Sequence, residues 1–252
     1  MSTIKIPPKA LMRPIGRAIV DYDMIRDGDR IMLGVSGGKD SLSLLHILKH
    51  LSTYAPVKFE LAALTIDPQV EGFDPSRLKQ YMKDMGIPYF YEEYPIEEQA
   101  QKSMKKDSFC SFCSRMKRGL MYSTARREGY NVLALAQHLD DLAESFLMSA
   151  FHQGQLRTMK AHYLNDDGDI RIIRPLVYVR ERQTADFASN NDMPIIADSC
   201  PACFSMPTQR DHMKQLLLSE EQQTKNIYKN LLTTMRPLML EGGIPGHDKD
   251  HD

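Results

Sequence analysis

Residues 31–48 read IMLGVSGGKDSLSLLHIL: an apolar strand, a loop with two adjacent glycines and a leucine-lined helix follow one another without a break. A strand feeding directly into a helix is the start of a crossover, and crossovers build parallel sheets. The rest of the chain repeats the alternation. Residues 30–35 (RIMLGV), 59–66 (FELAALTI), 89–91, 131–136 (NVLALA) and 170–173 read as strands. Helices are expected from Ser41, carrying Leu42, Leu45, Leu48 and Leu51 on one face, and over 75–85, 114–128, 141–151, 181–190 and 210–218. Ser114 is placed as the N-cap of the 114–128 helix and Gly129 as its stop. The expected fold is α/β: an open, mainly parallel sheet with helices on both faces. Residues 1–29 read as an N-terminal segment, 30–218 as the main domain, and 219–252 as a C-terminal helix followed by a polar tail, GGIPGHDKDHD, expected to be disordered.

The glycine loop is built to hold an anion. Gly37 and Gly38 present backbone N–H groups with no Cβ in the way, and the first turn of the following helix adds unpaired N–H groups and the positive end of its dipole. The loop lacks the spacing of a Walker motif, and no G-x-G-x-x-G is present. S-G-G-K-D-S resembles instead the pyrophosphate loop of enzymes that cleave ATP between its α and β phosphates. That likeness assigns Ser36, Gly37, Gly38, Lys39, Asp40 and Ser41 to ATP. It also brings the end of the second strand, residues 64–67, against the adenine; Asp67 can equally be a strand-end turn residue.

A second motif, Ala136-Gln137-His138-Leu139-Asp140-Asp141, ends the fourth strand. Ligands of open parallel sheets sit at the carboxyl ends of the strands, so these acids should lie beside the phosphates. Carboxylates there need a cation between them and the phosphates, which gives Asp141 a part in Mg²⁺ ligation or alignment; the alternative is that Asp140 or Asp141 caps the next helix. His138 is a candidate nucleotide contact beside them.

The chain has 252 residues, 42% apolar and 26% charged, with a formal net charge of −1, so any nucleic acid must be held by a local patch. The opening MSTIKIPPKALMRP is not a secretory signal and no apolar run reaches a membrane span, so a cytoplasmic protein without a membrane partner is expected. In that setting four cysteines point to metal or redox chemistry. They form two knuckles, Cys110-Ser-Phe-Cys113 and Cys200-Pro-Ala-Cys203, entered through the irregular stretches 95–109 and 197–207. Spacing alone leaves a zinc staple and an iron–sulfur centre equally open. Around the first pair runs a basic stretch: Lys102, Lys105, Lys106, Arg115, Lys117, Arg118, Arg126 and Arg127. It is a candidate RNA surface or a solvated helix face.

Three stretches in combination resemble the tRNA 2-thiocytidine biosynthesis family: IGRAIVDYDMIRDGDRIMLGVSGGKDS from Ile15, CSFCSRMKRGLMYSTARREG from Cys110 and RIIRPLVYVRERQTADFA from Arg171. The likeness spans residues 15–218. It implies an adenine nucleotide alpha-hydrolase-like PP-loop ATPase that adenylates a cytidine of the tRNA anticodon loop at C2 and exchanges oxygen for sulfur. It further implies a [4Fe–4S] cluster on Cys110, Cys113 and Cys203, with Cys200 a neighbour; ATP and Mg²⁺; catalytic parts for Asp40, Asp141 and Lys117; a sulfur donor such as a cysteine desulfurase; and a homodimer. Related 2-thiouridine enzymes place a functional lysine where Lys117 stands. The chain departs from the family in having Ala-Gln-His-Leu where Gly-His-His is usual, and Phe204 where glycine follows the last cysteine. A uridine or a non-tRNA thiolation substrate, an ammonia-using ligase, and an RNA-binding protein with structural zinc are the competing readings.

Overall fold

A computed structural model describes residues 4–70, 72–96, 98–99, 109–196 and 208–240; for residues 109–111 it describes the backbone only. Cys200, Cys203, most of the two irregular stretches and the tail 242–252 lie outside the described residues. Six strands form one sheet: β1 Asp29–Gly34, β2 Phe59–Asp67, β3 Tyr89–Glu93, β4 Val132–Ala134, β5 His162–Leu164 and β6 Arg171–Ile173. Their order is β3-β2-β1-β4-β6-β5. Every pairing is parallel except β5 with β6.

The helices are α1 Lys9–Asp21, α2 Lys39–Tyr54, α3 Ser76–Asp84, α4 Phe109–Arg127, α5 Leu139–Gln153, α6 Glu181–Ser189, α7 Gln209–Gln223 and α8 Ile227–Met235. Successive strand residues point to opposite faces, and the core divides accordingly. Ile31 and Leu33 join a large cluster with Leu11, Ile15, Leu42, Leu45, Leu142 and Met235; Met32, Leu64 and Leu133 join a smaller one with Ala125 and Tyr130 beside α4. Helices therefore cover both faces, as the alternating strand–helix pattern predicts.

Several boundaries differ from the sequence reading. Helix α2 begins at Lys39 rather than Ser41. Helix α4 begins at Phe109, so Ser114 is an exposed residue inside the helix and not its N-cap. Cysteine, serine and phenylalanine are weak helix formers, but Phe112 is buried and its packing extends the helix through them. Gly129 does stop α4, at φ +74°. Helix α5 starts at Leu139, two residues before the expected Asp141. Strand β5 was not expected, because three residues returning through a turn give no periodicity to read. Residues 9–21 form α1 despite Pro14 in the helix interior; burial of Leu11, Ile15 and Ala18 outweighs the lost hydrogen bond.

Candidate active site

The strand order reverses between β1 and β4. Helix α2 leaves β1 over one face, whereas the chain reaches β4 through α4 on the other face. The carboxyl ends of these two strands, at a topological switch point, are where open α/β sheets bind ligands. Residues 36–41 leave β1 there, and residues 136–141 leave β4 beside them.

The phosphate loop is pre-formed. Gly37 has φ +86°, open to glycine at little cost. Gly38 is the N-cap of α2, and no side chain caps the helix, so its first-turn N–H groups remain available to an anion. The Ser36 and Ser41 hydroxyls lie 3.4 Å apart across the loop. Gly38 N–H donates to Ser36 Oγ at 3.3 Å, and Ser41 Oγ donates to the Gly38 carbonyl at 2.9 Å.

His138 joins the two motifs. It is the N-cap of α5: its Nδ1 accepts from Asp141 N–H at 3.3 Å, while Asp141 Oδ2 accepts from His138 N–H at 3.0 Å. Its Nε2 lies 3.7 Å from Asp40 Oδ2. Asp141 therefore takes part in capping, and its Oδ1 also meets Arg210 Nη1 at 3.1 Å. Both oxygens of Asp140 are committed to α6: Oδ1 accepts from Arg180 Nε at 3.0 Å and Oδ2 from Glu181 N–H at 2.8 Å.

Charges absent from the sequence reading complete the site. Lys39 Nζ bonds Glu181 at 2.9 Å and Asp40 at 3.1 Å, and Lys214 bonds the other Glu181 oxygen at 2.7 Å. Burial opposes the charge on Glu181, but the two lysines win and hold its carboxyl down at about 2. Burial likewise opposes the Lys39 charge, and Glu181 with Asp40 still raises its pKa above the ordinary value. Thr184 donates to Asp40 from one turn further along α6. Glu144 is buried one turn beyond Asp140. Burial, and then the charge of Asp141, push its carboxyl up to about 7 against the pull of Arg210. The signal for Arg180, Glu181 and Thr184 was their place just after β6, at the carboxyl edge of the sheet; Arg210, Lys214 and Glu144 gave none.

Asp67 closes a turn, one of the two roles open to it in the sequence: it accepts from Gln69 N–H at 2.7 Å and from the Tyr91 hydroxyl. Gln137, in the position that departs from the family, accepts from Arg174 Nε at 2.9 Å.

Of the metal candidates, Cys113 is half-buried in α4, and Cys110 precedes it by three residues in the same helix. Lys117 is half-buried one turn after Cys113. A Cβ on Gly34, the last residue of β1, would come within 3.0 Å of the Met121 sulfur. Met121 thus marks the level of the carboxyl edge. Because α4 connects two parallel strands and runs against them, the eight residues from Cys113 to Met121 carry the cysteine turn about 12 Å past that edge. Cys200 and Cys203 lie outside the described residues; Ile196, four positions before Cys200 in the sequence, donates its N–H to the Gly37 carbonyl at 3.0 Å. The basic stretch is thinner than its sequence suggests. Arg126 pairs with Asp167 and Asp169, and Arg127 with Glu92 and Glu128.

Comparison with known proteins follows the same lines. The family described as PP-loop domain matches residues 9–221. A tRNA-cytidine(32) 2-sulfurtransferase of Geobacter sulfurreducens is 42% identical over 230 residues, 90% of this chain and 89% of that protein. One from Aliivibrio fischeri is 37% identical over 249 residues, 96% and 77% of the two chains. Among solved structures, the U34-tRNA thiolase NcsA from Methanococcus maripaludis with its [4Fe–4S] cluster superposes with a TM-score of 0.75. It covers 93% of this chain and 80% of its own at 20% identity, a likeness of fold.

Proposed function

The chain belongs to the PP-loop proteins and, among them, to the tRNA 2-thiocytidine biosynthesis family, and from that membership we propose that it is an ATP-dependent tRNA-cytidine 2-sulfurtransferase. The cytidine O2 attacks the α-phosphate of ATP, and the bond to pyrophosphate breaks. Sulfur then adds at C2, and the C–O bond breaks to release AMP with the former base oxygen. Adenylation converts a poor leaving group into a good one.

The chain's own residues divide the work. Gly37, Gly38 and the first turn of α2 hold the departing pyrophosphate through backbone N–H groups, and Ser36 and Ser41 flank it. Lys39 is held by Asp40 and Glu181 within reach of the same loop. Asp141 turns one oxygen to a cation, Arg210, and Mg²⁺ is the ion that the same oxygen would take beside triphosphate. Lys117, one turn from Cys113, guides the phosphate or neutralises the adenylated base.

The donor set suits a cluster. Cys110 and Cys113 stand three positions apart in a helix that overhangs the nucleotide end of the sheet and would hold the cluster together with Cys203. Held by three thiolates, a [4Fe–4S] cluster would supply the sulfur-transfer chemistry. The carrying observation is the Ile196–Gly37 hydrogen bond, which supports a single centre by fastening the chain ahead of Cys200 to the phosphate loop. The same reading takes a sulfur donor such as a cysteine desulfurase, and a second copy of the chain in a homodimer, as partners.

The test is direct. Anaerobically purified protein, given ATP, sulfide and tRNA from a strain lacking the gene, should form AMP, pyrophosphate and 2-thiocytidine in equal amounts, read by nucleoside mass spectrometry. Bound zinc without iron, or sulfur found only in uridine, overturns the assignment.

A further inference from the structure

A second cationic site lies away from the phosphate loop. A cavity of about 320 Å³ between α1, the segment ahead of α6 and the C-terminal helices is lined by Arg13, Pro14, Arg17, Tyr178, Leu232 and Arg236. Three arginines are among its lining residues, and no carboxylate is. Asp21 stands beside it, 3.5 Å from Arg17 Nε and accepting from the Tyr178 hydroxyl at 2.9 Å. It offsets one of the three charges. Arg13 has no hydrogen bond or ion pair with another described residue. Arg236 Nε is buried and has no hydrogen-bond partner among the described residues, while its Cζ lies 5.1 Å from the centre of the Tyr178 ring. A buried guanidinium donor left unpaired is costly, and like charges round a cavity add to the cost. An anion between them relieves the repulsion.

We propose that Arg13, Arg17 and Arg236 form a phosphate-binding site for the sugar–phosphate backbone of the RNA substrate, outside the nucleotide loop; the proposal rests on the tRNA reading above. The connection carries the choice of ligand. Tyr178 is two residues ahead of Arg180, whose guanidinium holds Asp140 at 3.0 Å, so the cavity and the nucleotide end share one short segment. A mononucleotide seated on residues 36–41 is accounted for there. A polymer can occupy both places at once. Fork-shaped guanidiniums suit phosphate oxygens.

The test compares wild type with an Arg13→Glu/Arg17→Glu double variant, both residues exposed, and with Arg236→Lys, which keeps the charge in the less accessible position. Fluorescence anisotropy with labelled tRNA, repeated across KCl concentrations, should show the double variant weakened roughly tenfold or more. Its plot of log affinity against log salt should be shallower by about one unit per lost phosphate contact. Thermal melting, ATP binding and iron content should match wild type, and Arg236→Lys should lose less than the double variant. Wild-type affinity and slope in the folded double variant overturn the site while leaving the function intact. Loss of ATP binding in place of RNA binding makes the cavity a nucleotide site and also overturns it. If wild type itself binds no tRNA, the proposed function falls with it.

Discussion

Glu144 stands one turn along α5 from Asp140 and Asp141, buried, with its carboxyl pushed up to about 7. An acid with a folded-state pKa above its ordinary 4.5 holds a proton in the fold that it releases when unfolded. Between pH 4.5 and about 7 the folded chain binds more protons, so this residue's contribution to stability falls as pH rises through that window. Glu144→Gln should flatten the fall and raise stability at pH 8 by an amount on the order of 1–3 kcal/mol, read as urea midpoints at pH 5 and pH 8. Equal effects at both pH values would refute the assignment. Cys110→Ala, Cys113→Ala and Cys203→Ala should each abolish thiolation and bleach the visible absorption of the cluster, whereas Cys200→Ala should retain part of both. Equal loss at Cys200 would give it a ligand's role.

Among the elements, the β1–loop–α2 unit could be read almost whole, because two glycines between an apolar strand and a leucine face have few other uses. What could not be read was what meets that loop. A Cβ on Gly37 would sit 2.8 Å from the Ile196 side chain, and the Gly37 backbone is already at φ +86°. Gly37→Ala should therefore strain the loop twice over. ATP affinity should drop at least tenfold and the protein should lose roughly 1–3 kcal/mol of stability, measured by calorimetric titration and denaturant melts. Unchanged affinity would mean that Ile196 moves aside freely. Ile196 lies 159 positions beyond Gly37, and no local pattern encodes contact over that separation. The same limit hid Arg210 and Lys214. The early start of α4 was hidden differently, since a buried Phe112 overrode weak local propensities.

At the scale of the molecule, one sheet carries two cores of unequal size, and α1 belongs to the larger. Leu11, Ile15 and Ala18 are at most 1% exposed, so α1 is part of the packing of the nucleotide-binding unit. Ile15→Ala should cost about 2–5 kcal/mol in a denaturant melt, as for other buried aliphatic truncations; a loss below about 0.5 kcal/mol would show that α1 packs loosely. The parallel order of the inner strands was legible from strand–helix alternation. The antiparallel β5 and the route of α4 across the opposite face were not, since both depend on which strands become neighbours.

Helix α7 is fastened at both ends by arginines of different standing. Near its last turn, Glu221 receives two bonds from Arg180, at 2.6 and 3.0 Å, and that guanidinium also lies 3.2 Å from the centre of the Tyr228 ring. In its first turn, Arg210 reaches Asp141 and Glu144, one of them a carboxyl that gains and loses its proton near neutrality. Between them Lys214 bonds Glu181 at 2.7 Å and Met213 and Leu217 are buried, so α7 is held along its length and only the hold on its first turn depends on proton or metal. That first turn is the one the chain enters a few residues after Cys203, so a metal ion taken up by Asp141 would compete with Arg210 there and leave the Arg180–Glu221 clamp untouched.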